Sequence, residues 1–123
     1  MTEQRQKIGK WGEEEATLYL KDKGFQILHN NWRAERGDID IIALDKDCLV
    51  FVEVKGGSSE RYGPPELRVT KNKQRQLKKL ASIFLSGDEV NQIDFEHCRF
   101  DVVIVDGYQN KFHIRHYENA FYL

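Results

Sequence analysis

From Leu49 to Lys55 the chain reads Leu-Val-Phe-Val-Glu-Val-Lys, a strand-favouring run whose side chains turn to alternate faces. Glu53 and Lys55 therefore share one face, with Val52 and Val54 on the other. Asp38 to Leu44 supplies a partner strand, and Asp45-Lys46-Asp47 the turn joining the two. Phe25 to Arg33 predicts an earlier strand that leads into a basic turn, with Arg33 and Arg36 ahead of Gly37. Helical spacing appears twice. Gly9 to Lys23 places Gly12, Ala16, Tyr19 and Leu20 on one side and ends at Gly24, a natural C-cap. Thr70 is placed to N-cap a second helix whose apolar face is Leu77, Leu80, Ala81 and Phe84. Arg99 to Val105 and Lys111 to Tyr117 predict a closing hairpin around Asp106-Gly107. Gly56 to Pro65, rich in Gly, Ser and Pro, predicts a loop. The order α-β-β-β-α-β-β is that of an α/β fold, a mixed sheet flanked by helices.

Charge changes this picture where it interrupts the apolar runs. Asp40, Glu53 and Lys55 sit inside them, and burying a charge is costly unless it is paired or binds a metal. Loop parity sets the geometry. A loop with an even number of residues puts Asp40 opposite Glu53 and Asp38 opposite Lys55. An odd one sends Asp40 to the other face unless a bulge corrects it. Two opposed carboxylates make an oxygen-rich site suited to Mg²⁺ or Mn²⁺. The same residues also suit a salt-bridge cluster on a solvated sheet face. Glu13 lies on one row with Gly9, Ala16 and Leu20, so small neighbours would let its helix approach the sheet and present the carboxylate. An acidic first turn favoured by the helix dipole accounts for it equally simply.

The formal net charge of −1 argues against a nucleic-acid partner, but the distribution does not. From Arg68 to Gly87 there is no acidic residue. Lys71, Arg75, Lys78 and Lys79 fall on one helical stripe, either a solvated face or a surface that tracks phosphates. Lys73 points instead toward the buried side at the helix start, within reach of a cleft. Hydrophobic residues at 40% and charged residues at 32% argue against disorder, and 123 residues suffice for a single domain. No apolar run approaches the roughly 18 residues of a membrane span, and the polar N-terminus lacks a signal-peptide core. Cys48 and Cys98 suit buried thiols of a reducing, cytoplasmic compartment. His29, His97, His113 and His116 show no metal-ligand spacing with an acidic partner and are expected to be structural.

Asp40 followed by Glu53-x-Lys55 on the next strand resembles the PD-(D/E)xK nuclease signature. The words Gly9-x-x-Gly12-Glu13-x-x-Ala16, Asn31-Trp32-Arg33, Gly37 to Ala43, Phe51 to Lys55, Tyr62-Gly63-x-Pro65, Lys73 and Arg99 to Val103 resemble the bacterial YraN family, similar in layout to archaeal Holliday-junction resolvases. The likeness runs nearly end to end. It implies a restriction-endonuclease-like fold and Mg²⁺- or Mn²⁺-dependent hydrolysis of DNA, branched DNA included, by a cytoplasmic protein without a membrane partner. Asp40, Glu53, the Val54 carbonyl and Glu13 would hold the metal, and Lys55 would orient water. Arg33, Lys71, Lys73, Arg75, Lys78 and Lys79 would contact DNA. Resolvase-like relatives also imply a homodimer. A DNA-binding or recombination-accessory protein that keeps the fold without turnover is the alternative. The sequence departs from the pattern at Asp38, where Glu is usual, and at Gly57, where Arg is frequent. The second departure implies one phosphate contact fewer.

Overall fold

The computed structural model describes residues 2–57 and 69–121, with side chains from Gly9 onward. The Tyr62-Gly63-x-Pro65 word, most of the loop expected from Gly56 to Pro65, and Arg68 lie outside these residues. Helix α1 (Thr2–Asp22) leads into β1 (Gln26–Ala34), β2 (Gly37–Asp45) and β3 (Cys48–Gly57). Helix α2 (Lys71–Leu85) and a short 3-10 turn (Glu89–Gln92) precede β4 (His97–Tyr108) and β5 (Lys111–Phe121). The element order is the expected α-β-β-β-α-β-β. Helix α1 begins well before Gly9, because nothing in Thr2 to Ile8 breaks a helix. It stops where Gly24 adopts φ +96 and the Phe25 N–H returns to the Leu20 carbonyl.

The five strands form one sheet in the order β1-β2-β3-β4-β5. Every neighbouring pair is antiparallel except β3 and β4, which run parallel. A parallel pair needs a long crossover, and α2 lies within it. Strand β3 sits at the centre, and its apolar run is buried on both faces. One face packs Leu49, Phe51, Phe100, Val102 and Ile104 against Leu77, Leu80, Ala81 and Phe84 of α2. The other packs Val50, Val52, Val103 and Val105 against Trp11, Ala16 and Leu20 of α1. The predicted apolar face of α2 is thus the buried one. Among the described residues no helix is long and apolar enough to cross a membrane.

Two turns differ from the expectation. Asp45 pairs with Cys48, so the β2–β3 loop is the two-residue Lys46-Asp47, with Lys46 at φ 57. The loop is even. The closing hairpin does not turn at Asp106-Gly107, which lies inside β4, but at Gln109-Asn110. Gly107, at φ +136, faces Phe112 across the ladder. A Cβ there would run into the Lys111 carbonyl and lie 2.8 Å from Phe112 Cα. The glycine serves a close approach of two backbones rather than a chain reversal.

Candidate functional site

The β2–β3 ladder runs from Asp45–Cys48 to Ile41–Val52 and stops there. The reason lies at Asp40. Ile39 packs with the α2-side core and Ile41 with the α1-side core, although residues two apart on a regular strand share a face. The strand is therefore irregular between them. Strand β1 follows: Asn31, at φ 53, stands between the pairs Asn30–Ile41 and Trp32–Ile39. Asp40 ends up directed along the sheet toward β3, and its Oδ2 accepts the Val54 N–H at 2.8 Å. The carboxylate replaces a missing ladder bond. In an extended strand the N–H and C=O of one residue point the same way, so the Val54 carbonyl is aimed at the same gap.

Asp40 also hydrogen-bonds to Glu53. The expected meeting of these carboxylates occurs, through a kink rather than a regular opposed pair. Glu53 is only 3% exposed, yet it is not isolated. Its Oε2 lies 3.5 Å from Lys55 Nζ on its own strand face and 3.5 Å from Lys73 Nζ on α2. Lys73 reaches the cleft because Thr70 caps the helix, its Oγ1 accepting the Lys73 N–H at 3.2 Å. Two touching carboxylates need a proton or a cation between them. Burial first, then the hydrogen bond to Glu53 and its charge, push Asp40 up to about 9.

Glu13 approaches from α1. Burial and the charge of Asp38 push it up to about 7, while a hydrogen bond with Asn30 pulls it back. Its charge acts on Asp40, and that of Glu53 acts on it. Its Oε1 is buried without a hydrogen-bond partner among the described residues. Glu13, Thr17 and Asn30 line a groove of about 590 Å³ between α1 and β1. Close approach of α1 does not depend on the glycines, because a Cβ at Gly9 or Gly12 would meet nothing within 4 Å. Ala16 and Leu20, both fully buried, make the contact. Asp40, Glu53 and the Val54 carbonyl offer hard oxygen donors of the kind that Mg²⁺ or Mn²⁺ takes. Glu13 stands apart from the pair: the three carboxylates do not bring their ligand atoms within 4.8 Å of one another, as Asp47, Glu96 and His97 do.

The basic residues divide. Lys71 and Arg75 are exposed, Lys78 is half-buried, and Lys79 is exposed but paired with Glu35 at 3.1 Å. Arg75 also hydrogen-bonds Asn72 one turn back. The stripe is therefore partly engaged within the chain. Arg33 is exposed and stands across the β1–β2 ladder from Asp38.

Sequence reasoning missed the buried polar groups at the other end of the sheet. Asp101, with no exposure, accepts from Arg99 Nε at 2.9 Å, His116 Nε2 at 2.8 Å and the Asn119 N–H at 3.0 Å. Burial pushes its pKa up, but the His116, Arg99 and Asn119 hydrogen bonds outweigh this and hold it below the usual range. His116 is thus structural, as expected. His97 departs from the expectation. The Asp47 carbonyl accepts the Glu96 and His97 N–H groups at 2.7 and 3.2 Å, which brings ligand atoms of Asp47, Glu96 and His97 within 4.8 Å. All three are exposed. No local spacing signals this cluster, because Asp47 comes from a distant turn. Cys48 is buried and Cys98 half-buried, both as free thiols.

A mixed five-stranded sheet between helices, with carboxylates and lysines where its central strands part, has the layout of an α/β nuclease-like fold. The chain belongs to the uncharacterised protein family UPF0102, also called the YraN family, whose model matches residues 12–105. It is 43% identical to a UPF0102 protein of Alkaliphilus oremlandii over 115 residues, 94% of this chain and 97% of that one. A UPF0102 protein of Desulfosudis oleivorans is 46% identical over 110 residues, covering 89% and 87% of the two chains. One from Thermodesulfovibrio yellowstonii is 43% identical over 119 residues, covering 96% and 98%.

Proposed function

We propose that this protein is a divalent-metal-dependent nuclease that hydrolyses phosphodiester bonds in DNA. The observation that carries the reading is the contact between Asp40 and Glu53 beneath Lys55 and Lys73. A salt-bridge cluster on a solvated face does not account for it. Glu53 is nearly inaccessible, and Asp40 is held against it at the cost of a strongly raised pKa. Asp40, Glu53 and the Val54 carbonyl would hold Mg²⁺ or Mn²⁺, and Glu13, farther off, would join them only by moving its side chain or through water. Such an ion supplies electrophilic assistance to a phosphodiester and makes water more acidic. The rest is the work of the chain's own groups. Lys55 Nζ, 3.5 Å from Glu53 Oε2, would orient a water molecule and offset the negative charge of a pentavalent phosphorane. Lys73 places a second ammonium beside it from the opposite wall. Lys71 and Arg75, on the exposed side of the same helix, would hold backbone phosphates.

The test is cleavage of duplex, single-stranded, flap and four-way-junction DNA with Mg²⁺ or Mn²⁺. Asp40→Asn and Glu53→Gln should abolish cleavage and leave DNA binding equal or tighter, because repulsion of phosphate is removed. Lys55→Ala should slow turnover with less effect on metal affinity. Unchanged activity in all three variants would refute the assignment. DNA binding by the parent without cleavage of any of these substrates would leave a binding protein that keeps the fold.

A further inference from the structure

The basic turn between β1 and β2 has no part in the site described above. Ala34 pairs with Gly37, so Glu35 and Arg36 form its tip. Helix α2 passes over the root of this turn. A Cβ on Gly37 would lie 2.9 Å from Gln76 Nε2 and 3.0 Å from Leu80 Cδ1, so the helix closes on backbone that carries no side chain. Between turn and helix lies a groove of about 560 Å³, lined by Glu35, Arg36, Gly37, Gln76, Lys79 and Leu80. Arg36, Gln76 and Lys79 bring hydrogen-bond donors to it. Among the described residues Arg36 has no ion-pair partner, and the Gln76 amide has no hydrogen-bond partner. Lys79 meets Glu35 at 3.1 Å, but the two side chains are 68% and 57% exposed, and a pair so open to water holds weakly.

The groove shares both walls with the carboxylate site. On α2, Gln76 stands three residues after Lys73, whose Nζ is 3.5 Å from Glu53 Oε2, and residues at that spacing are neighbours on a helix. On β2, Gly37 stands three residues before Asp40, about 10 Å of strand.

A guanidinium fork, an ammonium and an amide around a bare glycine backbone are complementary to a phosphate group. We propose that this groove holds a backbone phosphate flanking the one at Glu53, Lys55 and Lys73, and that the phosphate displaces Glu35 from Lys79. Glu35 occupies Lys79 in the free protein and is exchanged for the stronger anion on binding. The proposal rests on the nuclease reading and adds the path of the strand, which runs from the carboxylates along α2 to the β1–β2 turn. No base edge is read there, so the contact positions the strand without selecting its sequence.

The experiment measures binding of a fluorescently labelled DNA duplex to the full-length protein in EDTA over a range of salt concentrations. Arg36→Gln and Lys79→Gln should each lower the slope of log K against log salt by about 0.9, the loss of one phosphate contact. Glu35→Gln should tighten binding without lowering that slope. A single neutral methylphosphonate, moved along one strand, should weaken binding by the parent at one position beside the cleavage point. At that position it should cost Arg36→Gln less, because the contact is already lost. Unchanged slopes in both cation variants overturn the groove, and so does a methylphosphonate effect at that position that is the same in Arg36→Gln as in the parent. Failure of the parent to bind the duplex overturns the groove as well. Cleavage is scored separately. A protein with these binding signatures that never cleaves keeps the groove and loses the nuclease, and one that cleaves with unchanged slopes does the reverse.

Discussion

Replacing Asp40 by Asn separates the two ways in which the Asp40–Glu53 contact can be satisfied. Protonated Asp40 accepts the Val54 N–H and hydrogen-bonds Glu53. The amide of Asp40→Asn does both with nearly the same shape, an oxygen toward Val54 and an N–H toward Glu53. It never has to lose a proton. In the parent the folded pKa of about 9 exceeds the ordinary 3.8. As pH rises above about 4 the unfolded chain releases a proton that the fold retains, so stability falls with pH until the folded value is reached. The slope is at most about 1.4 kcal/mol per pH unit, or about 3 kcal/mol between pH 5 and 7 as an upper bound. Glu53 shares the interaction, so the measured effect falls below that bound. In chelator, the stability difference between Asp40→Asn and the parent should therefore shift toward the variant as pH rises. Adding Mn²⁺ near neutral pH should stabilise the parent, by ligand linkage, and leave the variant unmoved. Urea unfolding across this pH range, with EDTA or Mn²⁺, measures both. A stability difference that does not change with pH, or equal Mn²⁺ stabilisation of both proteins, would refute the reasoning.

Other perturbations test separate parts of the structure. Arg99→Met removes hydrogen bonds from a fully buried Asp101 and should cost about 3–5 kcal/mol in urea unfolding, the loss expected when a buried pair is broken. Because Asp101 is held below its ordinary pKa, the parent's stability should fall on acidification, and Asp101→Asn should flatten that acid limb. Gly107→Ala places a Cβ against the β5 backbone at positive φ and should destabilise by about 1–3 kcal/mol, with a matching drop in thermal midpoint. Alanine at Arg75 and Lys78 should lower the slope of log K against log salt for duplex DNA, each lost phosphate contact contributing about 0.9. An unchanged slope would reduce the helix stripe to a solvated face.

The sequence by itself determined the order of elements, because alternation at Leu49–Lys55 and helical spacing at Leu77–Phe84 are local consequences of backbone geometry. It also selected Asp40, Glu53 and Lys55, since charges within apolar runs demand an explanation, and Lys73, because helix phase turned it toward the core. Loop parity stated the conditions for Asp40 to meet Glu53, and only the fold chose between them. The two-residue turn set the register, and the kink shared by Asp40 and Asn31 turned the carboxylate into the plane of the sheet. Tertiary structure alone decided the contacts between distant segments. Asp101 with His116, Asp47 with Glu96 and His97, and Lys79 with Glu35 leave no periodic trace, since their spacing along the chain bears no relation to their distance in space. The Asp106-Gly107 turn was misplaced for the same reason. Glycine permits either a reversal or a close backbone approach, and Phe112 on the neighbouring strand settles which one occurs.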